Sequence, residues 1–411
     1  VREHPGNPKE VRRLRPTQGP ALGPRKPAEF QYGISIHSLS RPNAQDLPAG
    51  LTDRPAKDHA LESLRGLAIV LLVFHHTHDV ATPNTSGSVS ISAVDHFFQV
   101  LRMPLFTAIS GYLYAGRPVH LGGSLKPLIT GKSRRVLLPG AVCLTVLLLL
   151  AQVGLPYWLF PAPADLSGVP AFYLKRPITY WFLIAIFVVF LFIGLLDRTS
   201  LLRQWRGWAA ALLFTTLVSA LLVSKQSFPW LCLGGAVYLL PPFLIGLGVR
   251  RFVEPELHQR PRMTRLTHLA VIPFVCVGLY AASAAAGLEW ASATATKPLI
   301  TSLTTAPPLL HTLEVFAGCC AVLWLLIHRR THRVLAHLGG YAYGIYLFHR
   351  LGMWAWDLAV FTQYRQSARV DGPSWLTWLV ASLFVLLFAY GVERLLRRSR
   401  FTRKWVLGLR G

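Results

Sequence analysis

The stretch ESLRGLAIVLLVFHHTHD, Glu62–Asp79, decides how the rest of the chain is read. Its middle, LAIVLLVF, is built to sit in lipid, and the whole stretch rises about 27 Å as a helix, close to the roughly 30 Å of hydrocarbon in a bilayer. Yet Glu62 and Arg65 stand in front of it, and His75, His76 and His78 follow it. An ionisable side chain inside a membrane span is costly unless it meets a partner or a polar cavity, so each one is a functional candidate. Arg65 and His76 are eleven residues apart, which at 100° per residue puts them about 20° from each other on one face, about 16 Å apart along the axis. His75 points about 80° away from that face, so the adjacent histidines are not equivalent. Glu62 and Arg65, three apart, can pair. The alternative reading has Arg65 reaching back to the headgroups and the histidines merely ending the span; helical phase alone leaves both readings standing.

Outward from this stretch the same pattern repeats. Of 411 residues 52% are hydrophobic and only 15% charged, well below the roughly 25% of an ordinary soluble domain. Runs long enough to cross a bilayer fall near 60–79, 95–115, 136–153, 179–196, 208–223, 230–249, 268–286, 309–327, 336–354 and 375–394. The expected fold class is therefore all-α: a polytopic membrane protein of about ten transmembrane helices. Residues 1–57, rich in Pro, Gly and Arg and without an apolar h-region, read as a disordered basic amino-terminal tail. The transmembrane domain covers 58–397, and 398–411 read as a basic carboxyl-terminal tail. All five cysteines lie inside apolar runs, without CxxC spacing or a disulfide framework.

The net charge of +24 does not make this a nucleic-acid binder, because the cations punctuate apolar runs instead of covering a soluble face. They set orientation instead, since cytoplasmic loops hold the excess of Lys and Arg. Thirty-three of the 42 fall in the two tails and in the loops at 116–135, 197–207, 250–267 and 328–335. Six, Lys175, Arg176, Lys225, Lys297, Arg365 and Arg369, fall on the other side, and Arg65, Arg102 and Arg350 lie within spans. Both termini are expected in the cytoplasm of a multi-pass protein of the cell membrane.

Further candidates follow from cost. In VDHFFQVLRMPLF, Asp95 and Arg102 share a face, and Arg102 precedes a proline that breaks a backbone bond, so it needs a compensating acid or polar cavity. Lys132, Arg134 and Arg135 of GKSRRVLLPG form a cytoplasmic cationic cluster, readable as a positive-inside anchor or as a site for a phosphorylated ligand. His75, His78 and Asp79 have metal-site spacing but sit where a span meets water, so no metal is assigned. His349 and Arg350, near the outer end of the ninth run, read equally as interfacial anchors. Tyr341, Tyr343, Tyr346, Trp354 and Trp356 read as packing and belt aromatics, and Glu393 as a partner of Arg397.

LRGLAIVLLVFHH, RMPLFTAISGYLY, KSRRVLLP, TYWFLIAIF and LGGYAYGIYLFHR, in this order across 58–397, together resemble the membrane acyltransferase family 3, with RMPLF most like its fucose 4-O-acetylase branch. The resemblance implies an O-acyltransferase that moves a group, usually acetyl, from cytoplasmic acetyl-CoA to a hydroxyl of a sugar or glycan, with acetyl-CoA as cosubstrate and no bound cofactor. The acceptor would be a carbohydrate or a lipid-linked glycan. The family's arginine, ten residues, histidine motif falls on Arg65 and His76; its basic-x-x-Arg motif falls on Lys132 and Arg135, with Lys where many members have Arg. Its second-span arginine matches Arg102, its ninth-span histidine matches His349, and Glu62 stands where members carry an acid. On this reading Lys132, Arg134 and Arg135 would hold the CoA phosphates, His76 would act as general base or nucleophile, Arg65 and Arg102 would stabilise an oxyanion, and Glu62 would orient Arg65. The rival is a transporter or flippase using the charged stripe as a polar pathway; such proteins often show paired repeats, and none is evident here.

Overall fold

The structure, a computed structural model, describes residues 58–81, 89–119, 123–152, 180–222, 232–259, 308–361 and 374–409. Residues 1–57, the run 268–286, Cys276 and the six cations assigned to the far side lie outside the described residues, as do the side chains of His78, Asp79 and Asp95. Among the described residues the chain is all-helical, without a strand.

The chain opens with α1 (His59–Ala81) and α2 (Val89–Ala115). Next, α3 (Lys126–Lys132) passes through a π turn, Ser133–Leu137, into α4 (Leu138–Gln152). Then come α5 (Trp181–Asp197) and α6 (Trp205–Leu222), followed by α7 (Leu233–Gly248), which runs through a second π turn, Val249–Val253, into α8 (Glu254–Gln259). After α9 (Pro308–Ile327) come α10 (Arg333–Gly339) and α11 (Ala342–Trp356), the latter extended by a third π turn, Asp357–Phe361. The last elements are α12 (Ser374–Leu396) and α13 (Arg400–Trp405).

Among the described residues four helical stretches are long and apolar enough to cross a membrane: His59–Thr77, Lys126–Leu150, Leu233–Glu256 and Trp375–Leu396. Trp181–Asp197 and Gly318–Ile327 are apolar but shorter. Large apolar side chains stand exposed on α4, α6 and α12, among them Leu149, Leu213, Phe214 and Leu387. In water such faces would be a liability; against lipid tails they are the expected outer surface.

Two runs differ from their sequence boundaries. The third begins at Lys126 instead of 136, because Pro127 in the first turn starts a helix readily, so the basic cluster is helical. The ninth is broken: α10 ends where the Gly340 N–H returns to the Ala336 and His337 carbonyls, both at 3.2 Å, and α11 starts afresh at Ala342. Because α11 then continues through the π turn to Phe361, His349 lies in the middle of a helix and is 1% exposed. The interfacial-anchor reading of His349 is thereby corrected.

Packing explains the break. Gly339 and Gly66 bring α10 and α1 together so closely that a Cβ on Gly339 would strike the Glu62 carbonyl, and one on Gly66 the Leu335 carbonyl. The α2–α7 crossing works the same way, with Gly111 against the Phe243 backbone and Gly246 against Ala108. Small residues let helix backbones approach where no hydrophobic drive between helices exists in lipid. One core cluster joins α1, α2, α4, α5, α7, α11 and α12, and a second joins α1, α2, α7 and α9.

Charged groups fasten the end of the bundle at which α1 begins. Arg329 donates to Glu254 Oε1 at 2.7 Å and to the Tyr112 hydroxyl at 2.9 Å, while Tyr112 donates to Glu254 Oε2 at 2.8 Å. Burial alone would pull the Arg329 guanidinium down, but the Glu254 hydrogen bond and the fields of Tyr112, Glu254 and Asp58 hold it above the usual arginine value. At the end of α5 Asp197, fully buried, accepts both Arg251 Nη1 at 2.8 Å and Nη2 at 2.7 Å, and the Tyr114 hydroxyl at 3.0 Å.

Candidate active site

Between α1, α2, α5, α11 and α12 lies a partly open cavity of about 440 Å³, within the range of small-molecule sites. Its polar wall contains Glu62 and Arg65, paired at 2.7 Å. Lys132 reaches into the same wall, its ammonium 3.4 Å from the centre of the Phe190 ring. In the same lining Glu393, 1% exposed, accepts Arg397 Nε at 3.0 Å and Nη2 at 2.6 Å; Arg397 is fixed further by the Gly340 carbonyl at 2.6 Å and lies 4.1 Å over the Tyr341 ring. Phe106, Phe182 and Ile186 supply the apolar remainder. Glu62 Oε2 is buried and finds no protein donor. Arg134 and Arg135 stand exposed on the adjoining π turn, outside this lining.

The histidines form a second group. The His76 ring on α1 stacks on His349 of α11, centroids 5.1 Å apart and planes at 25°. Two bonds hold that part of α1 against α12: Thr77 Oγ1 and Ser382 Oγ lie 2.6 Å apart, and Trp378 Nε1 donates to the Phe74 carbonyl at 2.7 Å. His349 Nδ1 lies 2.6 Å from the Tyr346 carbonyl, which can only accept, so Nδ1 carries the proton. In the neutral ring the lone pair is therefore on Nε2, and Nε2 is buried without a protein partner. Arg102, 7% exposed, likewise leaves Nε and Nη1 unpaired, and the Arg350 charge acts on Arg102, His76 and His349 together.

Tyr346 joins the two groups. Its side chain lines the cavity beside Phe182, ring centroids 5.9 Å apart, and its ring lies 5.9 Å from His349 while its carbonyl fixes the His349 tautomer. The structure thus brings Glu62, Arg65 and Lys132 into one wall, and His76 and His349 into one stack with Arg102 electrostatically close. It does not bring Arg65 and His76 to one point: eleven residues of straight helix separate them, about 16 Å. The pairing of Glu393 with Arg397 expected from spacing is present. Sequence reasoning missed that this pair lines the cavity, and missed Tyr343 and Tyr346 there; the alternation of tyrosines along YAYGIY was the available signal.

The described helices thus form an apolar bundle that holds a cavity with charged side chains in its lining and a buried, stacked histidine pair. The acyltransferase domain profile of family 3 matches residues 58–394, and the chain belongs to that family of membrane acyltransferases. Among curated proteins it is similar to nodulation protein NolL of Sinorhizobium fredii, 23% identical over 237 residues, 57% of this chain and 58% of the relative. It is also similar to nodulation protein NolL of Mesorhizobium japonicum, 27% identical over 192 residues, 46% of this chain and 48% of the relative. The chain thus spans about half the length of the curated relatives it matches. No solved structure matches.

Proposed function

We propose that the chain is a ten-span O-acyltransferase of the cell membrane, both ends cytoplasmic, that moves an acetyl group from acetyl-CoA to a hydroxyl of a sugar or lipid-linked glycan precursor. The stacked His76–His349 pair carries this reading, because it presents a buried lone pair at His349 Nε2 on a ring that feels the charge of Arg102, itself buried with Nε and Nη1 unpaired.

The donor's phosphates bind at Lys132, Arg134 and Arg135, and the pantetheine arm passes Arg65, itself oriented by Glu62, into the cavity. Arg65 serves the donor and not the reacting carbon, since it stands too far from the histidines. The imidazole pair acts at the acceptor: Nε2 of His349 takes the hydroxyl proton as the oxygen attacks the thioester carbonyl, and Arg102 receives the developing oxyanion. Collapse of the tetrahedral species breaks the C–S bond, and the proton returns from the imidazolium to the CoA thiolate. His76, stacked on the base, either shares that proton or takes the acyl group itself before passing it on.

The test is transfer of labelled acetyl from acetyl-CoA into glycan by membranes carrying wild type, His76→Ala or His349→Ala. Both substitutions should reduce incorporation at least about a hundredfold. Wild-type activity in His76→Ala would remove that ring from the chemistry, and failure of the wild type with every acyl donor would turn the reading toward transport along the same polar path.

A further inference from the structure

The stretch after α12, expected as a basic tail, is built onto the bundle. Thr402 Oγ1 bonds the Leu396 carbonyl, so α13 is hinged back on the end of α12. Beyond α13 the Val406 and Leu407 N–H groups return to the Thr402 carbonyl at 2.9 and 3.1 Å, and the Leu409 N–H to the Arg403 carbonyl at 3.0 Å. Gly408 permits this with a left-handed φ of 64°. It lies against the Arg134 carbonyl, the Arg135 Cα and the Pro139 ring, where a Cβ would come within 2.9 to 3.1 Å of each. Leu407 is 2% exposed, and Leu407 and Leu409 both line the cavity that contains Glu62, Arg65 and Lys132. These residues lie beyond the 58–394 matched by the family profile.

The lining of the cavity therefore combines the cations Arg65 and Lys132 with two leucine side chains. A free phosphate or sugar would gain nothing from two leucines, whereas an amphipathic arm with amides on one side and methyl and methylene groups on the other fits both. We propose that Leu407 and Leu409, held on the basic turn by Gly408, are donor-binding residues that contact the apolar side of a CoA thioester's pantetheine arm. This rests on the acyl-CoA reading of the cavity.

Leu409→Ser should raise KM for both acetyl-CoA and S-acetylpantetheine about tenfold, more than it lowers kcat. Arg134→Gln with Arg135→Gln, by contrast, should raise it for acetyl-CoA alone, because S-acetylpantetheine lacks the nucleotide phosphates. As a readout independent of turnover, Leu409→Cys in the full chain should be alkylated by a maleimide more slowly when acetyl-CoA is present, followed at that peptide by mass spectrometry. Protection without any acyl transfer keeps the donor wall and removes the transfer reaction. Transfer by the wild type with an unchanged KM in Leu409→Ser, or alkylation indifferent to acetyl-CoA, overturns the wall while leaving the reaction standing.

Discussion

His349 spends one ring nitrogen on its own helix and leaves the other unfilled inside the bundle. A merely structural histidine gains from satisfying both nitrogens, since a buried polar atom without a partner costs about 1–3 kcal/mol. His349→Gln keeps a polar side chain of similar reach but no titratable nitrogen, and should lower kcat by about 10² to 10⁴ while leaving the donor KM within a few fold. Arg102→Lys should cost about 10² to 10³ in kcat, because one flexible ammonium does not reproduce a planar set of donors aimed at an oxyanion. Lys132→Gln alters the proposed donor site and should act the other way, raising KM for acetyl-CoA with a smaller effect on kcat. Steady-state kinetics at saturating and limiting acetyl-CoA separates the two groups. At this scale helical phase singled out Arg65 and His76, because both sit on one helix with a known period. It did not reveal the His76–His349 stack, which joins residues 273 positions apart whose meeting depends on how α1 and α11 cross.

The elements are set by their glycines as much as by their apolar runs. At the α2–α7 crossing Gly246 touches the Ala108 carbonyl and the backbone of Tyr112, so any larger residue must push two helices apart. Gly246→Val should destabilise the purified protein by about 1–3 kcal/mol or abolish a monodisperse preparation, followed by thermal unfolding in detergent. Gly391→Ala, where an added Cβ meets nothing within 4 Å, serves as the control. It should be neutral or gain about 0.5–1 kcal/mol, because glycine costs backbone entropy in a helix. Hydropathy located the runs that became α1, α2, α5, α6, α7, α9 and α12 because apolar length is a local property. The break at Gly340 and the π turns at Ser133–Leu137 and Asp357–Phe361 were not legible. The Gly339–Gly340 pair marked a weak point, but whether a helix yields there depends on what it packs against, here the backbone of Glu62.

Over the whole molecule, orientation rests on the cations, and it can be checked with two single cysteines: Arg398→Cys should react with an impermeant maleimide only from the cytoplasmic face, and Lys225→Cys only from the opposite face. Labelling of both from one side would contradict two cytoplasmic ends. The all-helical class and the family were determined by the sequence alone, because lipid admits no unsatisfied backbone and demands long apolar runs that composition displays directly. The tertiary structure alone decided that Glu393, Arg397 and the Leu407–Leu409 strap face the same cavity as Arg65, and that His349 meets His76. Those meetings join positions tens to hundreds of residues apart, and contacts of that kind follow from how helices cross and where chains turn back, which no local pattern of residues encodes.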